Sequence, residues 1–236
     1  MRASNLSEDD IRVIVKEALR KQVEVEVYLP CARRVNKIMN DALYPWESQL
    51  ARQVAALRGL PQSFFGITVD CISPSSWEGA VEMLAHIRSH SLPQDRLAHL
   101  IDVCKAIPAI FSMEHPHSRT FLGADDFLPI FIYVLVGARI PHMLTLHEEM
   151  LTFVDADRRM GEAGYYLATL EAAISHIRDV DPLSGEGMFA RPAEEEDEDE
   201  DEDEEEEGEL DSSDEDTVSE ERKEGPDGDV LVDPLK

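Results

Sequence analysis

The sequence predicts an all-α fold, a layered helical bundle followed by a disordered acidic C-terminal tail, and three features carry that expectation. The apolar load is 43% of 236 residues and rests on Leu, Ile, Val, Ala and Met, with aromatics at 6%. A β-sandwich would call for more Thr, Tyr and turn glycine. Apolar residues also recur at helical spacing in segment after segment. From Glu194 onward, 25 Asp and Glu stand against Arg222, Lys223 and Lys236. Like-charge repulsion and a lack of apolar anchors predict that this run stays unfolded.

The elements follow in order. Ser7 with Asp10 has capping-box spacing ahead of Ile11, Ile14, Val15, Ala18 and Leu19, a helical stripe. Val23-Glu-Val25-Glu-Val27 alternates like a strand. No partner strand is visible, so helix is the better reading there. Pro30 should break or kink it. Val35, Ile38, Met39 and Ala42 continue a stripe, and Trp46, Leu50, Val54 and Leu57 mark another helix, ended by Gly59 and Pro61. Residues 59–74 read as a loop. Ser75 with Glu78 has capping-box spacing before the helix of Trp77, Val81 and Leu84. Leu97, Leu100, Ile101 and Cys104 give the next helix, interrupted near Pro108, and 112–122 read as a loop. Further helices are predicted over 125–138, 143–154 and 162–178.

Outside the acidic run the chain carries 25 acids and 19 bases, close to an ordinary balance. Phosphate contact needs clustered Lys and Arg, so a nucleic-acid partner is not expected. Cys31, Cys71 and Cys104 are odd in number and lack metal or CxxC spacing, which fits free thiols in a reducing compartment. The N-terminus lacks a signal-peptide apolar run. The longest apolar stretch, Phe127 to Ala138, is twelve residues, where a bilayer span needs roughly 20. A soluble chain with no transmembrane segment is therefore expected.

Two segments stand out. In Gly123-Ala-Asp-Asp-Phe-Leu-Pro129, two carboxylates open a helix that is apolar all round, which belongs at the centre of a bundle. Asp125 or Asp126 either caps that helix or serves as a functional acid. In Gly161-Glu-Ala-Gly-Tyr-Tyr, leading into a helix, Leu167, Leu170, Ile174 and Ile177 form a core stripe. Tyr165, Ala168, Thr169, Ala172 and His176 fall on the opposite face, either a second buried side or a docking surface.

GADDFLPIFIYVL and GEAGYYLATLEAAISHI, with LPQDRLAHLIDVCKAI upstream, resemble the vacuolar-protein-sorting-nine exchange domain, nearest its alsin and Ras-and-Rab-interactor branches. The resemblance implies an N-terminal helical segment 1–45, an exchange domain 46–181 and a tail 182–236. It implies a guanine nucleotide exchange factor for a Rab small GTPase of the early-endosome branch. Such a protein would be cytoplasmic and peripheral to early endosomes through its partners, with no cofactor. By motif position Asp125 matches the acidic finger that enters the nucleotide site, Pro129 the groove proline and Tyr165 the tyrosine that meets the GTPase switch region. One departure is plain. The family places a threonine three residues after that tyrosine, and this chain has Ala168, with Thr169 turned about 100° further round the helix. A weakly catalytic Rab-binding scaffold is the alternative that this departure suggests.

Other candidates carry less. His115-Pro-His117 lacks an acid or cysteine at ligand spacing, and His147-Glu148-Glu149 lacks the second histidine of HExxH. His86, His90 and His99 read as helix-surface residues. No metal site is expected, and no P-loop, GxGxxG or GxSxG points to small-molecule catalysis. In the tail, Ser212, Ser213 and Thr217 each have an acid three residues on, which suits an acid-directed kinase. The tail's charge also raises the alternative of a chaperone for basic proteins.

Overall fold

The computed structural model describes residues 7–116, 122–183 and 187–189, all inside one compact unit, Met1–Pro192. The acidic run, its predicted disorder and Ser212, Ser213 and Thr217 lie outside the described residues. Among those residues there are eight α-helices and no strand: α1 Glu8–Val23, α2 Leu29–Leu57, α3 Glu78–Ala85, α4 Pro93–Glu114, α5 Ala124–Ala138, α6 Met143–Phe153, α7 Ala156–Arg159 and α8 Glu162–Asp179. The all-α prediction holds.

α5 is the centre. It packs against α2, α3, α4 and α8, and Ile130, Phe131, Ile132, Val134 and Leu135 are fully buried. α8 lies against α2, α4, α5, α6 and α7, with Leu167, Leu170, Ile174 and Ile177 in the core as their spacing predicts. No single helix among the described residues is long and apolar enough to cross a membrane.

At the N-terminus, Ser7 Oγ accepts from the Asp10 amide at 3.1 Å and Asp10 Oδ2 accepts from the Ser7 amide at 3.0 Å, the predicted cap. The alternating Val23–Val27 stretch is helical, as a π-helical turn at Glu24–Tyr28. Pro30 does not break the path. The Leu29 amide donates to the Glu24 carbonyl, one residue further back than in an α-helix, and the widened turn accommodates the proline.

Prolines mislead the sequence reading twice more. The stripes at 35–42 and 46–57 belong to one helix running through Pro45, and the division at 45/46 falls inside it. α4 likewise runs through Pro108 to Glu114, into the stretch read as a loop. An interior proline costs about 3 kcal/mol. Both rings are exposed, so they clash with no neighbouring element, and the buried faces on either side (Leu50, Val54 and Leu57; Cys104, Ile107 and Phe111) hold the helices together. Trp46 is half exposed, and Glu47 is buried beside it with Oε1 accepting from the Thr145 amide at 2.8 Å.

The predicted cap at Ser75 is also corrected. Ser76 and Trp77 are left-handed, with φ of 56° and 59°, which carries the Trp77 side chain inward to complete burial. Ser73 Oγ accepts from the Trp77 amide at 3.0 Å, whereas the Ser75 hydroxyl donates to Glu114. Gln62 ties the turn together. Its Oε1 accepts from the Trp77 indole at 3.0 Å and the Ser73 amide at 3.0 Å, and its Nε2 donates to the Ser73 carbonyl at 2.8 Å. Ser73→Ala is therefore expected to cost about 1 kcal/mol in urea unfolding. Exposed Ser75→Ala should cost less, and a reversed order would return the cap to Ser75.

Candidate Rab-exchange surface

The surface is assembled where the N-terminal ends of α5 and α8 meet. α5 opens at Gly123, whose amide donates to Asp126 Oδ2 at 3.1 Å, and the Phe127 amide returns to the Gly123 carbonyl at 3.2 Å. The capping work thus falls to Asp126. Asp125 is exposed, and among the described residues no hydrogen bond or ion pair engages it. Both carboxylates sit in the first turn, where the helix dipole favours negative charge.

α8 is entered through a tight turn. Asp155 Oδ1 accepts from the Arg158 amide at 2.9 Å and caps α7, and the same carboxylate pairs with Arg20 of α1. The end of α7 then presses on the start of α8. A Cβ placed on Gly164 would lie 1.7 Å from the Arg159 carbonyl oxygen, so only glycine fits. The next residue, Tyr165, is 56% exposed. Its ring meets Tyr166 edge-on, with centroids 5.1 Å apart. Tyr166 is half-buried and lies 6.3 Å from Phe127 of α5. Burial raises the Tyr166 phenol pKa, with the Glu162 charge adding to it. Lys105 Nζ donates to Glu162 at 2.9 Å and joins α4 to the same corner.

Asp125 and Tyr165 therefore sit on helix ends joined by the Phe127–Tyr166 contact. Ala168 is exposed and Thr169 half-buried. The Thr169 hydroxyl donates to the Tyr165 carbonyl at 2.9 Å, so its proton is already committed within the helix. The face carrying Tyr165, Ala168, Thr169, Ala172 and His176 ranges from half-buried to exposed, so it is not a second core side. Pro129 is buried and presents no open ring. Among the described residues no cluster of three His, Cys, Asp or Glu is placed to hold a metal.

Residues 77–182 match the family model described as the Vacuolar sorting protein 9 (VPS9) domain. That stretch is similar to a VPS9 domain. Relatives of this chain include Ras and Rab interactor 3 of Homo sapiens, 24% identical over 191 residues, covering 76% of this chain and 19% of the relative. Ras and Rab interactor 2 of Homo sapiens is 29% identical over 182 residues, with 75% and 19% covered. Vacuolar protein sorting-associated protein 9A of Arabidopsis thaliana is 32% identical over 115 residues, with 47% and 21% covered. The chain thus spans about a fifth of the length of these relatives.

Reading the sequence for this surface missed two residues. Gly164 carried a signal, since glycine inside a helix costs about 1 kcal/mol and calls for a packing reason. Tyr166 carried none, because its contact with Phe127 depends on how α5 and α8 come together.

Proposed function

We propose that this chain is a guanine nucleotide exchange factor for a Rab small GTPase of the early-endosome branch, with Asp125 as an acidic finger. The observation that carries the reading is an exposed carboxylate, without a partner among the described residues, at the tip of the central helix, relieved of capping by Asp126. A carboxylate entering a nucleotide site competes with the β-phosphate for the P-loop lysine and disfavours magnesium. A charge-assisted hydrogen bond is worth about 1.5–3 kcal/mol, enough to speed release by about tenfold or more. Tyr165 supplies the apolar anchor for the switch region, with Ala168 and Thr169 beside it. Pro129 acts from below by shaping the end of α5. The exchange unit runs over 46–181 with 1–45 bracing it, and the protein works in the cytoplasm, peripheral to early endosomes through its partners.

The test is release of a fluorescent guanine nucleotide from a panel of Rabs. Wild type should accelerate release from at least one, and Asp125→Ala should remove about tenfold or more of that acceleration. No acceleration on any Rab, or an unchanged rate in the variant, would overturn the reading. A weakly catalytic Rab-binding scaffold is the second reading, favoured by Ala168 and by the committed Thr169 hydroxyl. It predicts a stable complex with slow exchange that Ala168→Thr accelerates.

A further inference from the structure

α1 is amphipathic the wrong way round. Its charged side faces its own domain: Lys16 pairs with Asp157, Arg20 with Asp155, and buried Glu24 just beyond it accepts from the Gln94 amide at 3.1 Å. At about 100° per residue, the opposite side carries Ile11, Ile14, Val15, Ala18, Leu19 and Gln22. Ile11, Ile14, Val15 and Leu19 are exposed by 47%, 51%, 49% and 63%, and no residue of α1 is buried. A surface helix ordinarily puts its apolar stripe inward, and a contiguous exposed apolar stripe marks a contact surface.

The stripe has a symmetry that names its occupant. Positions 11, 14, 15, 18, 19 and 22 are related in pairs about the point between Lys16 and Glu17. A second copy laid antiparallel presents the same pattern, placing Val15 over Ala18 and Ile11 over Gln22, as facing core positions do in an antiparallel coiled coil. The helix dipoles of the two copies then oppose, which favours the antiparallel pair. α1 has four acids and four bases, so it lacks the cationic surplus that draws an amphipathic helix to an anionic bilayer. We infer that α1 is a homodimerisation helix, pairing antiparallel with α1 of a second copy through Ile11, Ile14, Val15, Ala18 and Leu19.

A helix pair about 24 Å long is at the small end of specific interfaces, so micromolar affinity is expected. Sedimentation equilibrium of the full chain should show a reversible dimer. Val15→Glu should be monomeric with an unchanged helical circular dichroism spectrum. Register is tested in a Cys31→Ser background, since Cys31 is exposed. Val15→Cys chains mixed with Ala18→Cys chains should form a disulfide-linked heterodimer under mild oxidation, with much less crosslinking in either variant alone. A wild-type chain that stays monomeric at high micromolar concentration overturns the inference. So does a dimer that survives Val15→Glu, or crosslinking of Val15→Cys chains alone as efficient as in the mixture. Monomeric chains binding phosphatidylcholine vesicles through the same stripe would assign it to a membrane instead. Each outcome is read without nucleotide exchange, so it stands apart from the proposed function.

Discussion

Arg96→Met is expected to cost about 3–5 kcal/mol of stability at about pH 8, and less at about pH 6. Arg96 and Glu149 are both buried, at 7% and 0% exposure, and are ion-paired. Tyr28 donates to the other Glu149 oxygen, and Arg96 Nε donates to the His90 carbonyl at 2.8 Å. Removing the guanidinium strands a carboxylate in the interior. Burial, with the Glu24 charge adding to it, already pushes Glu149 up to about 7, and burial raises Glu24 as well. In the unfolded chain a glutamate titrates near 4.5, so between these values the folded state holds a proton that the unfolded state has lost. This group's contribution to stability is therefore fully present below about pH 4.5 and declines as pH rises to about 7. Glu149→Gln should flatten that slope, because the Tyr28 hydroxyl can reverse and accept from the amide. Urea titrations at the two pH values decide it. A loss for Arg96→Met under about 1 kcal/mol at both would show that the ion pair does not hold α4 to α6.

Gly164→Ala should destabilise the chain although alanine is the better helix former by about 1 kcal/mol. The added methyl would sit 1.7 Å from the Arg159 carbonyl oxygen and 2.6 Å from its carbon. Both atoms are backbone, so no rotamer change relieves the clash and α7 must move. Overpacking of this kind costs about 1–3 kcal/mol net. Tyr165 follows directly, so its ring should shift too. Gly79→Ala is the matched control, since its methyl would meet Ile110 Cδ1 at an ordinary 3.6 Å, and it should be neutral or stabilising. If Gly164→Ala unfolds at the same urea concentration as wild type, the close approach of α7 and α8 is not a constraint on this fold.

These cases mark what can be read from the sequence. The Ser7 cap, the burial of α5 and the core stripe of α8 are local patterns, and each appears where its spacing puts it. Ser75 misled because capping-box spacing is silent about the left-handed backbone at Ser76 and Trp77. Pro45 and Pro108 misled because a proline rule is local while the packing that outweighs it is not. The polar cluster was illegible. Glu149 meets Arg96 across 53 positions and Tyr28 across 121, and no spacing rule joins them. At the candidate surface the sequence nominated Asp125, Tyr165 and Ala168. It left open which aspartate caps, and the Gly123–Asp126 bond answers that.

The π-helical turn at Glu24–Tyr28 has a consequence for the phase of the whole N-terminal arm. It holds one residue more than an α-helical turn, so it offsets α1 from α2 by about 100° about the helix axis. With that offset, Arg20, Glu24 and Tyr28 reach Asp155, Gln94 and Glu149 together. Deleting a single residue there, such as Val25, would let the segment run as uninterrupted α-helix and dial α1 round by the same angle. The charged side would swing off Asp155 and Asp157, and the aliphatic stripe would turn with it. One amino acid thus works as a rotary setting that decides which side of α1 meets the protein and which meets the outside.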